Sequence, residues 1–244
     1  MGLSITSDGY AMVKIKSETD FASRSEKFTG FVELVAARAS SLETVESVLE
    51  DAEVKERMEE VMLSMRENLA VDSVRVVRSK GESMFVGYVH SKAPGSQLAG
   101  GMVSVVELAS KGKDEEELNA HGKGLAMHVV AASPEYLDAA SIPEEILEKE
   151  RAIFRDQVSF WSLDGMARNL SFLTPRSRRS SRQLEGSQKP PDILKKILDG
   201  KMRKYFESVC FVDQPHMIEE GNPKISKFLK GKGIELLSFD ALGV

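Results

Sequence analysis

The sequence predicts an α+β fold: two small antiparallel-sheet-plus-helix subdomains with a projecting antiparallel helical hairpin. Three observations predict it. Apolar and polar residues nearly alternate over Tyr10–Lys16, and β-rich runs recur between Ser73 and Leu108, which marks strands. Apolar residues at three- and four-residue steps mark amphipathic helices before and after those runs. Two further helical stretches flank a Ser/Arg-rich segment, the pattern of a helical hairpin with a polar tip.

Taken in order, Tyr10–Lys16 reads as a half-buried strand that runs into the polar turn Ser17-Glu18-Thr19-Asp20 and then Phe21. Phe28, Phe31, Val32 and Val35 place a helix next. From Leu42 to Leu69, Val45, Leu49, Met58, Val61 and Met65 keep helical spacing, as one long helix or two consecutive ones. Ser73–Arg78, Met84–His90 and Gly101–Leu108 are three β-rich runs divided by Gly81 and by the segment from Ala93-Pro94-Gly95 to Gly100. Together they predict an antiparallel meander. Asp114 with Glu117 forms a capping box that opens a helix through Leu118, Leu125 and Val129 to Ala132, stopped by Pro134. Ser141-Ile142-Pro143-Glu144 opens the first hairpin arm and Asp192–Val209 forms the second. A short strand at Val209–Val212, a helical turn at Ile225–Leu229 and a strand at Ile234–Phe239 complete the chain. The resulting boundaries are a first subdomain at 1–72, a second at 73–142 completed by 211–244, and the hairpin at 143–210 with its tip at 171–189.

The chain of 244 residues carries 33 Lys+Arg against 38 Asp+Glu, a net charge of −5. That charge is uneven. Ser171–Lys189 holds Arg176, Arg178, Arg179, Arg182 and Lys189 against Glu185 alone, a local +4 that leaves −9 on the remainder. Few residues of this tract could bury surface, so disorder is expected. It reads as a solvated hairpin tip or as an RNA or phosphoregulatory tract. The acidic remainder argues against nucleic acid as a partner. No run approaches the roughly 18 apolar residues of a membrane span, so no membrane association is expected.

Enzyme constellations are absent. No phosphate loop of the G-x-x-x-x-G-K-[ST] type occurs, and the Gly-Lys-Gly triplets at Gly122–Gly124 and Gly231–Gly233 are too short for one. His121 and His128 lie seven residues apart on a helix without an evident carboxylate ligand, so no metal is expected. Cys210, the single cysteine, excludes disulfides and sits in the apolar run Val209–Val212, where a buried, inert thiol is expected. No cofactor is implied. His90 ends a strand beside Tyr88, as a contact residue or a satisfied edge histidine. Phe21 follows three polar residues in a turn; it either folds back on the helix bearing Phe28 or projects as an anchor for a partner.

Ser17-Glu18-Thr19-Asp20-Phe21-Ala22-Ser23-Arg24-Ser25-Glu26-Lys27-Phe28 resembles the most recognisable motif of elongation factor Ts, (C/S)-E-T-D-F-V-A-(R/K)-N-x-x-F. Ala126–Leu137 resembles that family's A-M-H-V-A-A-x-x-P-x-(Y/F)-(L/I), and Ile142-Pro143 through Glu148-Lys149-Glu150-Arg151 its V-P-x-x-(V/I)-(V/L)-E-K-E-(R/Y). Lys189–Phe206 is similar to its K-P-x-x-I segment, and Gln214-Pro215 to its Q-P. Five motifs stand in the family's order over nearly the whole chain.

The resemblance implies a guanine-nucleotide exchange factor that binds GDP-bound and nucleotide-free elongation factor Tu, with no enzymatic chemistry of its own. It carries partner contact over to Asp20 and Phe21, which would reach the Mg²⁺ and nucleotide region of Tu, and to His90. Met65 and Met217 match apolar contact positions by place. Departures are Ala22-Ser23 in place of Val-Ala, Arg66 in place of a common Gly before Glu67-Asn68, and no small helical module before the first strand. The long Arg/Ser tract suggests an organellar, most simply mitochondrial, version, with a bacterial-type cytoplasm as the alternative. The hairpin could serve as a homodimer contact. An RNA-binding or assembly protein acting through the basic tip is the competing expectation.

Overall fold

The computed structural model describes residues 1–79, 81–109, 114–160 and 191–243. They form two compact units, Met1–Ser133 with Pro215–Val244, and Pro134–Gln214. The α+β class holds, with two three-stranded antiparallel sheets and helices. The Ser171–Lys189 tract lies outside the described residues.

In the first unit, β1 (Gly2–Thr6), β2 (Gly9–Ser17) and β3 (Leu69–Arg78) form one sheet in that order. The second sheet is β4 (Met84–Lys92), β5 (Gly100–Ala109) and β6 (Glu235–Leu242). The predicted meander is therefore corrected. Ser73–Arg78 belongs to β3, which pairs with β2 from Gly9↔Arg78 to Ser17↔Leu69, and only the other two runs are neighbours. Alternation identifies a strand but not its partner, and here the partner lies more than fifty residues upstream.

Helix α1 (Asp20–Ser23) is a single turn, followed by α2 (Glu26–Leu42), α3 (Val45–Glu50) and α4 (Ala52–Met65). The Leu42–Leu69 stretch thus holds two helices, and Leu69 already belongs to β3. Asp51 divides them. Its extended backbone (φ −62°, ψ 127°) ends α3, and its carboxylate accepts from the N–H groups of Glu53 and Val54 at 3.1 Å to cap α4.

Alternate residues of β2 face two cores. Ala11, Val13 and Ile15 pack with Phe31, Val32 and Val35 of α2. Tyr10 and Met12 pack with Phe85 of β4 and Val103 and Val105 of β5, Tyr10 meeting Phe85 edge-on at 5.4 Å. The strand expected to be half-buried is buried on both faces. Asp240 of β6 ties the sheets together by accepting from Tyr10 Oη at 3.3 Å and pairing with Arg75 of β3.

Helix α5 (Glu115–Ala132) packs on β4 and β5, and Ser104 donates to the Ala126 carbonyl at 2.7 Å. Asp114 occupies its N-cap position, but its side chain makes no capping bond, so the expected capping box does not close. The Gly-Lys-Gly triplet at 122–124 lies within this helix. A Cβ at Gly122 would stand 2.7 Å from Cβ of Val86, so the helix approaches β4 only because that side chain is absent. Gly122→Ala is expected to destabilise by about 1–2 kcal/mol, overpacking outweighing the helix-propensity gain. Urea denaturation checks it; stability at or above wild type would remove this account.

In the second unit, α6 (Glu144–Phe160) and α7 (Pro191–Val209) form the hairpin arms. Phe154 meets Tyr205 at 6.3 Å and Gln157 accepts from Lys201 at 2.7 Å, an antiparallel register. The expected strand at Val209–Val212 is absent. Val209 ends α7, Cys210 forms a single bridge with Tyr136, and Phe211–Asp213 is a 3-10 turn. The neck closes as Tyr136 N–H donates to Val209 O at 3.1 Å, Phe211 N–H to Tyr136 O at 2.8 Å and Val212 N–H to Leu137 O at 3.1 Å. The last helix, α8 (Ile225–Lys232), returns to the first unit and precedes β6.

Candidate functional site

The turn carrying Asp20 and Phe21 is fixed from both ends. Thr19 sits at the N-cap of α1 with extended backbone, and its hydroxyl oxygen accepts from Ala22 N–H at 3.3 Å. The same hydroxyl donates to Glu67 Oε1 at 2.6 Å, while Thr19 N–H donates to Glu67 Oε2 at 3.1 Å. One carboxylate after α4 therefore holds both donors of the residue that starts the turn. Asn68 adds a bond to Glu18 at 2.7 Å. Beyond the turn, Ser25 caps α2 through Phe28 N–H at 3.2 Å and reaches Met65 Sδ at 3.5 Å.

The Phe21 ring does not fold back on the helix bearing Phe28. Ala22 and Phe28 turn inward and are buried, while Phe21 is 90% exposed. Burying such a ring releases about 1.5–3 kcal/mol, which this fold leaves unused. Asp20 is exposed beside it. Met65 is half-buried and packs against the core beneath α2, so it supports the corner more than it presents a surface.

His90 is exposed at the end of β4, its Nδ1 3.3 Å from Tyr88 Oη. Asp20, Ser23 and Arg24 line one side of a 690 Å³ cleft and Ser91 and Lys92, which follow His90, line another, with Ile15, Phe28 and Val32 also in its wall. Asp20 lines this cleft itself, whereas Phe21 and His90 are only sequence neighbours of residues that do. Met217 is not part of the cleft wall and is 56% exposed on the loop that begins at Pro215. Its neighbour Ile218 is 46% exposed.

Spacing alone did not single out Glu67, whose partner Thr19 lies 48 residues away, nor the histidines beneath Met217. His128 is fully buried and its Nδ1 accepts from Met217 N–H at 3.3 Å. His216 is equally buried, and its Nδ1 accepts from Ile218 N–H at 3.2 Å. Burial, then the neighbouring His128, push the His216 imidazole down to about 4, so it is neutral near pH 7. His121 does have a carboxylate nearby, Glu117 Oε1 at 3.5 Å, contrary to the sequence reading. Among the described residues, no three His, Cys, Asp or Glu side chains gather as metal ligands. Cys210 is buried and its thiol is pushed up to about 11 by desolvation, which keeps it protonated. Among the described residues, no helix is long and apolar enough to cross a membrane.

The family model described as elongation factor TS matches residues 18–244, from Glu18 at the head of the braced turn onward. The chain belongs to the elongation factor Ts family. Elongation factor Ts of Alcanivorax borkumensis is 31% identical over 240 residues, covering 96% of this chain and 69% of that relative. Elongation factor Ts of Paramagnetospirillum magneticum is 29% identical, covering 97% and 68%. Elongation factor Ts of Gluconobacter oxydans is 28% identical, covering 98% and 71%.

Against the elongation factor Ts pattern, the departure at Arg66 has a physical consequence. Arg66 closes α4 in the left-handed region (φ 56°, ψ 37°), where glycine is least strained. Arg66→Gly is expected to stabilise by about 0.5–1 kcal/mol, the relief of strain exceeding the added freedom of the unfolded chain. A lower denaturation midpoint in the glycine variant would contradict it.

Proposed function

We propose that this chain binds elongation factor Tu and accelerates release of GDP from it, as a guanine-nucleotide exchange factor in translation elongation. The observation that carries the reading is Phe21, a 90% exposed aromatic on a turn clamped through Thr19 and Glu67, within the motif that resembles the family's T-D-F sequence. Asp20 and Phe21 form the principal contact, His90 adds a second point, and Met217 a separate apolar one. Met65 backs the Phe21 corner from below.

The work is linkage. A protein that binds nucleotide-free Tu more tightly than GDP-bound Tu weakens GDP binding by the same factor. A ring carried on a braced turn and entering between packed elements of the GTPase favours an arrangement with a disturbed Mg²⁺ site, and loss of that charge neutralisation raises the GDP off-rate. No nucleophile or metal of this chain is required. The test is release of a fluorescent GDP analogue from purified Tu by stopped flow, with and without the chain. Acceleration that saturates with concentration supports the reading, and an unchanged rate overturns it.

A further inference from the structure

The buried histidines serve none of the contacts proposed above, yet both lie directly under one of them. We propose that His128 and His216 are positioning residues that hold Met217 and Ile218 in their outward-facing arrangement for contact with Tu. Each imidazole accepts one backbone N–H from this dipeptide, at 3.3 and 3.2 Å. The loop is thus fastened by its amides, and its two apolar side chains are left 56% and 46% exposed. The acceptors are buried while the donors are only partly so, and two consecutive bonds to fixed acceptors select one backbone path.

The receptor side of this arrangement is rigid. His128 belongs to α5, whose packing on β4 and β5 fixes the ring's origin. The two imidazoles lie 5.7 Å apart, and Phe228 of α8 meets His216 edge-on at 5.0 Å. Phe228 also meets His121 of α5 at 5.4 Å, so the loop's base is wedged between two helices. An acceptor at Nδ1 places the ring's proton on Nε2, the tautomer this geometry demands of both rings. His216 spans only two residues to its donor, the geometry of an Asx turn, which asparagine reproduces.

This inference rests on the reading that Met217 meets Tu, and its test has one arm without Tu. His128→Leu, His216→Phe and His216→Asn are compared by hydrogen exchange of the Met217 and Ile218 amides and by exchange activity. The Leu and Phe variants keep buried volume and lose the acceptor; the Asn variant keeps an acceptor. In His128→Leu the Met217 amide, and in His216→Phe the Ile218 amide, should lose protection. The concentration for half-maximal GDP release should rise about tenfold, the worth of roughly one ordering hydrogen bond, with the saturating rate within about twofold. His216→Asn should recover protection and half-saturation to within about threefold of wild type. Retained amide protection in both acceptor-free variants overturns the inference, as does lost protection with unchanged half-saturation. Should His128→Leu fail to fold, the two His216 variants carry the test. Failure of the wild-type chain to accelerate release defeats the exchange reading instead, and the amide measurement separates the two.

Discussion

Phe21→Ala should slow chain-stimulated GDP release from Tu by about thirtyfold, the worth of a contact near 2 kcal/mol, while stability changes by no more than about 0.5 kcal/mol. The two halves of this expectation come from the same fact. A ring that is 90% exposed supports nothing in its own fold, so removing it leaves the turn intact. The turn's geometry comes from Thr19, Glu67 and Ser25, whose hydrogen bonds do not involve the ring. Stopped-flow release at several concentrations of the variant, beside its urea denaturation curve, reads both. Undiminished release would remove Phe21 from the mechanism. A large loss of stability would mean that the ring packs in solution.

Acidification should destabilise the protein between about pH 6.5 and pH 4, by up to about 3 kcal/mol. His216 is lowered to about 4 in the folded state by burial and by His128 beside it, against an ordinary value of 6.5. The unfolded chain therefore takes up a proton at His216 that the folded chain refuses. Above 6.5 neither state is protonated and the group has no effect on stability with pH. As pH falls through the window, unfolding gains; below the folded value both states are protonated and the loss levels off. The carboxyls of Asp8, Asp51 and Asp72 are held below the carboxylate range, chiefly by hydrogen bonds from Thr6, Arg38 and Lys16 respectively. Their contribution is lost only as pH falls below about 4, so the two regimes separate on the pH axis. Urea unfolding at pH 7, 5.5 and 4.5 tests it, with His216→Phe expected to flatten the slope. A wild-type stability constant across that range would refute the assignment.

Local pattern carried much of this fold because each element encodes its own exposure. The three- and four-residue spacing of Phe28, Phe31, Val32 and Val35 is the buried face of α2. The Phe21 anomaly was legible because a large apolar residue in a polar turn contradicts local logic, and the structure resolves it outward. What the sequence did not disclose were partners across distance. Strand β1 is too short for its alternation to mark it, and its only local signal is the Asp8-Gly9 turn that joins it to β2. Glu67 and Thr19 are two ordinary polar residues until two elements bring them within 2.6 Å. The sequence pairs His128 only with His121 on its own helix, because the amide whose bond it accepts lies 89 residues further on. Nothing in spacing identifies a backbone donor.

The hydrogen bonds between Tyr136–Leu137 and Val209–Val212 give the inserted unit a closed base, with entry and exit of the chain fastened to each other. Closing a loop costs entropy that grows only with the logarithm of its length, roughly 0.6 kcal/mol per doubling. Once that closure is made at the base, residues can be added or deleted beyond it with small thermodynamic effect. Evolution is thereby free to vary the stretch between the two arms in size and charge independently of the braced Phe21 turn. Length variation among relatives should concentrate there, and very little should fall within Thr19–Ser25 or at Arg66–Asn68, where an inserted residue would shift Thr19 away from Glu67.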